Sequence, residues 1–265
     1  MILSKMILSN ITPLILTFNE ASNILDTVSR LSWARQIVVV DSFSTDETIE
    51  ILSQFPNVRV VQREFDQFAD QCNFGLDSIE TEWVLSLDAD YKCPTSLETE
   101  LIEIDPDKYT AYESKFAYCI FGKPLRATLY PPRKVLYRKS AANYSQDGHA
   151  HKVDITGKTG KLKTILLHDD WKPLRTWCAA QVNYANDEVK KLSRIPRSQL
   201  SWKDKIRRWY FVAPVLTLFY CLFVRLLILD GWQGIYYSLQ RVFAELVLSL
   251  SLIDEKLRGS FLNKN

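Results

Sequence analysis

Asp88 and Asp90 stand two residues apart, directly after the apolar run Trp83-Val84-Leu85-Ser86-Leu87. Carboxylates at this spacing suit a hard divalent cation such as Mg2+ or Mn2+, which takes oxygen ligands and often bridges to substrate phosphates. A cation held there neutralises negative charge growing on a departing diphosphate. A bare Asp-x-Asp also occurs in solvated acidic turns. Its position after a hydrophobic strand, the fourth in a series, favours the chemical reading.

That series must position the pair. Ile11 to Thr17, Gln36 to Val40, Val58 to Val61 and Trp83 to Leu87 read as strands. Asn19 to Leu31 has apolar residues at helical spacing, at Ile24, Leu25, Val28 and Leu31. Ser44 and Glu47 suggest the start of a second helix, with Ser44 as its N-cap. Phe68 to Ile79 reads as a third. Strand–helix alternation predicts an α/β fold, a mostly parallel sheet with flanking crossover helices. Ligands of such sheets sit beyond the carboxyl ends of the strands. The residues found there are Thr17-Phe18-Asn19-Glu20, Asp41-Ser42, Gln62-Arg63 and Asp88-Ala89-Asp90.

Beyond Thr110 the pattern changes. Strand-like runs near Ala111–Ile120 and Val135–Arg138 suggest a mixed extension of the sheet. Asp147 to His151 (DGHAH) is turn-prone. Leu162 to Leu167 predicts a strand followed by His168-Asp169-Asp170, and Leu174 to Leu192 a helix.

Residues 11–92 resemble glycosyltransferase family 2, inverting enzymes of the GT-A (Rossmann-like) fold. The segments that carry this are TPLILTFNEASNI, IVVVDSFSTDETIEI and FADQCNFGLDSIETEWVLSLDAD, in the family's order and spacing. LYPPRKVLYRK, DGHAHKV and LLHDDW look like the subgroup of lipopolysaccharide-core β-glucosyltransferases. The resemblance implies a nucleotide pocket lined by Thr17, Asn19 and Glu20. It implies that Asp41 hydrogen-bonds the base, most readily uracil, with Ser42 beside it and Asn73 near the nucleotide. Asp88 would hold ribose or metal, and Asp90 the metal. Two departures stand out: Cys72 replaces a usual basic residue, and Tyr91 a frequent Glu.

Inversion requires a general base on the acceptor hydroxyl. Asp147 is the first candidate, because DGHAH falls where the family places its second acidic motif. Asp169 and Asp170 follow. All three histidines, His149, His151 and His168, lie in these two segments, and by resemblance His151 and His168 are the metal-site candidates. Arg126, Arg133 and Arg138 flank Pro131-Pro132 and suit phosphate or an anionic acceptor.

Composition narrows the setting. The 265 residues allow one α/β domain, expected over 1–195, and an appendage over 196–265. A formal charge of +2 gives no reason to expect a nucleic-acid partner. Five scattered cysteines with no C-x-x-C pair argue against a disulfide framework or zinc site. The apolar N-terminus lacks an A-x-A-like cleavage site, so a strand is the better reading than a signal peptide.

In the appendage, Arg197, Lys203, Lys205, Arg207 and Arg208 face Asp204 alone. Trp209 to Leu229 follows, with Arg225 its one charge, interrupted by Pro214. A second helix, Trp232 to Ile253, carries Gln233, Tyr237, Arg241, Glu245 and Ser249 at four-residue steps, a polar stripe. The pattern predicts a helical hairpin associating with an anionic membrane surface, monotopic or peripheral rather than spanning. Burial against the catalytic domain, or in a homo-oligomer, is the competing expectation. The implied setting is the cytoplasmic face of the plasma (inner) membrane, where nucleotide sugars are available.

The combined expectation is a Mn2+- or Mg2+-dependent inverting enzyme. It would move a hexose, first of all glucose, from a UDP-sugar donor to a lipid-linked or cell-envelope saccharide acceptor. The alternatives are a polyprenyl-phosphate glycosyltransferase and an inactive GT-A membrane scaffold.

Overall fold

The computed structural model describes residues 8–147, 150–196 and 198–262. Side chains at 147, 150, 151, 194, 203 and 259–262 lie outside the description. Contacts divide the chain into two units, one of Met1–Pro124 with Thr128–Lys172, the other of Leu125–Ala127 with Pro173–Asn265. Helix Leu174–Arg194, expected in the first domain, falls in the second unit.

The first unit begins with β1 (Ile11–Thr17), α1 (Ile24–Ser29), β2 (Ile37–Asp41), α2 (Thr48–Leu52), β3 (Val58–Gln62), α3 (Phe68–Asp77) and β4 (Trp83–Asp88). β5 (Tyr91–Lys92), α4 (Thr95–Glu103), β6 (Ala111–Ser114), β7 (Phe116–Ile120) and β8 (Lys123–Pro124) follow. β9 (Arg133–Arg138), β10 (Ala142–Asp147), β11 (Ala150–Ile155), β12 (Thr159–Lys161) and β13 (Leu166–His168) complete it.

Seven strands form one mixed sheet in the order β12-β6-β9-β4-β1-β2-β3. β4, β1, β2 and β3 are mutually parallel, and β9 runs antiparallel to β4 and β6. Both faces of β2 are covered, so it is buried at all five positions, as its unbroken Ile-Val-Val-Val requires. α3 lies so close to β1 that a Cβ on Gly75 would meet Leu14 Cδ1 at 2.5 Å. Glycine is the residue that permits this approach.

Register aligns the strand ends. Thr17 pairs with Asp41, Asp41 with Gln62, and Leu16 with Asp88. The expected site residues therefore reach one edge of the sheet together. A smaller sheet, β5-β13-β7-β8, continues beyond it.

Several local expectations change. The first helix starts at Ile24, because residues 19–23 form turns tied to the loop after β2. Ser44 does not cap α2; its hydroxyl bonds Asp41, and the helix starts at Thr48, whose amide donates to Asp46 at 3.0 Å. The run 111–120 is two strands broken at Lys115, and the strand expected over 162–167 is Leu166–His168. In the segment 147–151, Asp147 ends β10 and Ala150 begins β11, which pair antiparallel; Gly148 and His149 lie outside the described residues.

The second unit contains α5 (Leu174–Arg194), α6 (Trp202–Arg207), α7 (Val212–Phe219) and α8 (Trp232–Leu262). Its core joins Ala185, Val189, Leu192, Leu200, Leu248 and Leu252. The apolar run 209–229 is not one helix. α7 passes into a π turn over Tyr220–Val224, Leu226 then adopts a left-handed conformation (φ 56°), and a 3-10 turn leads to Gly231 (φ 71°). Pro214 sits in the first turn of α7, where no intrahelical hydrogen bond is lost. Among the described residues, no helix is long and apolar enough to cross a membrane.

Candidate active site

The loops after β1 and β2 are fastened to each other. Asn19, in a left-handed conformation (φ 55°), donates its amide to Ser44 Oγ at 2.9 Å and accepts from Thr45 N at 2.8 Å through Oδ1. Glu20 N donates to Thr48 Oγ1 at 2.8 Å, and Ala21 N to Asp46 Oδ2 at 3.1 Å. Asp41 organises this wall from a fully buried position. Its Oδ1 accepts from Thr17 Oγ1 at 3.0 Å and Ser44 Oγ at 2.5 Å. Its Oδ2 accepts from Ser44 N at 2.9 Å and Gln62 Nε2 at 3.2 Å. A carboxylate has about four lone-pair sites, so a base meeting Asp41 would share them with these donors. Ser42 Oγ accepts from Gln71 Nε2 at 2.8 Å.

Asn73 bonds the backbone of β10. Its Nδ2 donates to Tyr144 O at 3.1 Å, and its Oδ1 accepts from Tyr144 N at 3.0 Å. The observed work of this side chain is to fasten β10 to α3.

A short antiparallel ladder joins the two acidic segments. Tyr91 pairs with His168 and Lys92 with Leu167, and Asp169 N donates to Asp90 O at 3.0 Å. DAD and HDD thus meet although 78 residues separate Asp90 from His168. Asp90 Oδ2 contacts His168 Nε2 at 2.9 Å. Burial disfavours charge on both, yet each stabilises the other's ion. The His168 pKa lies above its ordinary value and that of Asp90 below. The rings of Tyr91, Tyr118 and Tyr130 surround His168 at centroid distances of 5.4, 4.7 and 4.8 Å. Asp90 Oδ1 and His168 Nδ1 are buried and have no hydrogen-bond partner. A buried carboxylate oxygen left unpaired is costly in isolation, and a cation would satisfy it.

Asp88 is more open. It contacts Arg133 Nη1 at 3.2 Å, and that guanidinium also reaches Tyr91 Oη at 3.2 Å and lies 5.2 Å from the Tyr130 ring centroid. Tyr91, found where a Glu is frequent, thus supports both Arg133 and His168. Among the described residues no group of three or more His, Cys, Asp or Glu side chains could hold a metal ion by itself. The side chain of His151, the fourth metal candidate, lies outside that description, as does that of Asp147.

Asp169 and Asp170 separate clearly. Asp169 is 3% exposed and pairs with Lys92 Nζ at 2.8 Å. It also accepts from Trp171 Nε1 at 2.9 Å and Gly122 N at 3.3 Å. With both oxygens engaged by donors, the Asp169 side chain ties β5, the loop after β7 and Trp171 together, a positioning role. Asp170 Oδ1 accepts from Asn23 Nδ2 and Lys172 N, both at 3.0 Å, while its Oδ2 has no partner among the described residues.

Arg133 alone of the three flagged arginines lies at these carboxylates. Arg126 pairs with Asp230 in the second unit, and Arg138 stands opposite Trp83 at the amino end of β4. The ring of ion pairs also contains groups that sequence reasoning missed. Lys172 binds Glu20, and Asn23 Nδ2 donates to Glu20 Oε2 at 3.0 Å. Burial raises the Glu20 pKa from 4.5 to about 7 against the opposing charge of Lys172, with Asp90 adding to the rise. Lys172 follows HDDW directly, so its place in an acidic segment was the available signal.

Residues 14–130 match the family described as Glycosyl transferase family 2. An uncharacterized glycosyltransferase of Rickettsia bellii is 24% identical over 261 residues, 91% of this chain and 85% of that protein. A lipopolysaccharide core biosynthesis glycosyltransferase of Rhizobium meliloti is 25% identical over 174 residues, 60% of this chain and 62% of that protein. Among solved structures, a mannosyltransferase of Pyrobaculum calidifontis, in complex with GDP-Man and Mn2+, matches with a TM-score of 0.54 at 14% identity. The match covers 93% of this chain and 88% of that one, and it shows a shared GT-A fold. The chain carries a glycosyltransferase family 2 domain and is a glycosyltransferase.

Proposed function

We propose that this enzyme transfers a hexose, glucose first among candidates, from a UDP-sugar to a lipid-linked or cell-envelope saccharide, with inversion and with Mn2+ or Mg2+. The orphaned Oδ1 of Asp90 carries the metal half of this reading. Asp90 and Asp88 would hold the cation, and the donor's phosphates would complete its shell. When bound, the cation offsets charge on the departing diphosphate. His168 fixes the orientation of Asp90, and Arg133 brings a further positive charge beside Asp88.

For the acceptor hydroxyl, the free Oδ2 of Asp170 and the Asp147 carboxylate are the candidate bases. The saccharide acceptor is supported by the likeness to the lipopolysaccharide core enzyme.

The test is UDP release from a panel of UDP-sugars, with and without Mn2+, using the wild-type chain and Asp90→Ala. Metal-dependent turnover that vanishes in the variant is expected. Equal turnover in the variant would remove Asp90 from the metal site.

A further inference from the structure

The sequence predicts a polar stripe on α8 at Gln233, Tyr237, Arg241, Glu245 and Ser249. In the structure much of this stripe turns inward. Tyr237 and Ser249 are 1% and 2% exposed. Glu245 receives Arg207, Arg241 lies 5.8 Å from the ring centroids of both Trp177 and Tyr237, and Ser249 donates to Tyr210 O at 2.8 Å.

The apolar residues turn outward instead. Leu239 is 54% exposed, Leu250 59%, Val215 55%, Phe219 57% and Leu229 61%. This is the reverse of a helix pair packed for water. Single exposed leucines need no explanation, but a continuous apolar face marks an interaction site.

The connection between α7 and α8 is inverted too. Exposed turns are ordinarily built from Gly, Pro, Asn, Asp and Ser. Here Leu226, Ile228 and Leu229 are exposed, while Asp230 is buried against Arg126 N at 3.1 Å and Nε at 2.9 Å. Between Trp209 and Ile253 the only charged residues are Arg225, Asp230, Arg241 and Glu245. Arg225 lies over the Tyr220 ring, so each of the four has a polar or aromatic partner within the unit.

We propose that the outer face of α7, the connecting turn and α8 seats in one leaflet of an anionic lipid bilayer. Trp209 and Trp232, 56% and 57% exposed, stand at the start of each arm, where indole rings suit the headgroup level. In the preceding segment, rich in Lys and Arg, Arg207 turns inward to Glu188 and Glu245 and Arg208 to backbone carbonyls, while Lys205 stays exposed. Anionic headgroups complement that charge, whereas a second copy of the unit would bring the same positive excess. Interfacial helices of this kind bury their apolar face roughly 5–10 Å deep without crossing.

The experiment is flotation of the full-length chain with phosphatidylglycerol–phosphatidylethanolamine vesicles, beside the triple variant Leu229→Gln, Leu239→Gln, Leu250→Gln. Circular dichroism checks that the variant keeps its helix content, and sedimentation velocity without lipid reports oligomers. Expected is a wild-type chain that floats, with tryptophan emission quenched by brominated lipid, and a folded variant whose bound fraction falls at least tenfold. A wild-type chain that stays in the dense fraction at low salt overturns the proposal. So does a folded variant that floats equally, or a lipid-free oligomer that the variant dissolves while vesicles capture neither form.

Discussion

Asp90 Oδ2 and His168 Nε2 meet at 2.9 Å, while the second oxygen of the carboxylate and the second nitrogen of the ring remain buried without partners. One contact thus orients both groups and leaves each an unsatisfied atom. Replacing Asp90 with Asn keeps the volume and removes the charge. UDP-sugar turnover should fall by about 10²–10³, the scale of losing one preorganised electrostatic contact. Calorimetry with UDP should show the Mn2+ enhancement lost as well.

His168→Ala empties the space between three tyrosine rings and leaves the Asp90 charge without its partner. Removing one side of a buried ion pair costs about 3 kcal/mol. Urea unfolding should report this, and saturating Mn2+ should restore part of it. A variant as stable as the wild type would mean that Asp90 needs no cationic neighbour.

Asp170 and Asp169 give opposite expectations. Asp170→Asn should lower kcat by about 10²–10⁴ if its free oxygen takes the acceptor proton, with UDP binding unchanged. Asp169→Asn weakens the pairing with Lys92, which keeps Asp26 at 2.7 Å as a second partner, and should lower stability by about 1.5 kcal/mol, with a smaller effect on kcat. Unaltered kcat in Asp170→Asn would transfer the base to Asp147.

Glu20 supplies a pH prediction. Its pKa rises from 4.5 to about 7 in the folded chain because burial disfavours its charge. An acid raised in this way stabilises the fold fully below pH 4.5, and the contribution is lost as the pH climbs towards 7. Glu20→Gln has no proton to lose, so its Tm should decline less than that of the wild type over that window. Parallel Tm curves would show that Glu20 titrates alike in folded and unfolded chains.

The sequence displayed the parallel strands clearly, because Ile-Val-Val-Val and Trp-Val-Leu-Ser-Leu are continuous apolar runs closed by an aspartate. Thr17, Asp41 and Asp88 could therefore be assigned to the strand ends, and register brings them together. Roles within the site were less legible. Asn73 and Asp169 look like ligands by type, and in the structure Asn73 bonds the Tyr144 backbone while Asp169 pairs with Lys92. That depends on pairing across 71 and 77 residues, which local pattern does not encode. The α8 stripe was read correctly as a period, yet periodicity does not say which face is inside.

Leu226 holds a left-handed backbone (φ 56°) with its side chain half exposed. A leucine there costs about 1 kcal/mol that glycine avoids. Leu226→Gly should therefore make the isolated protein firmer in water while loosening its hold on lipid. On the proposed lipid seat, folding and anchorage would pull in opposite directions at this residue.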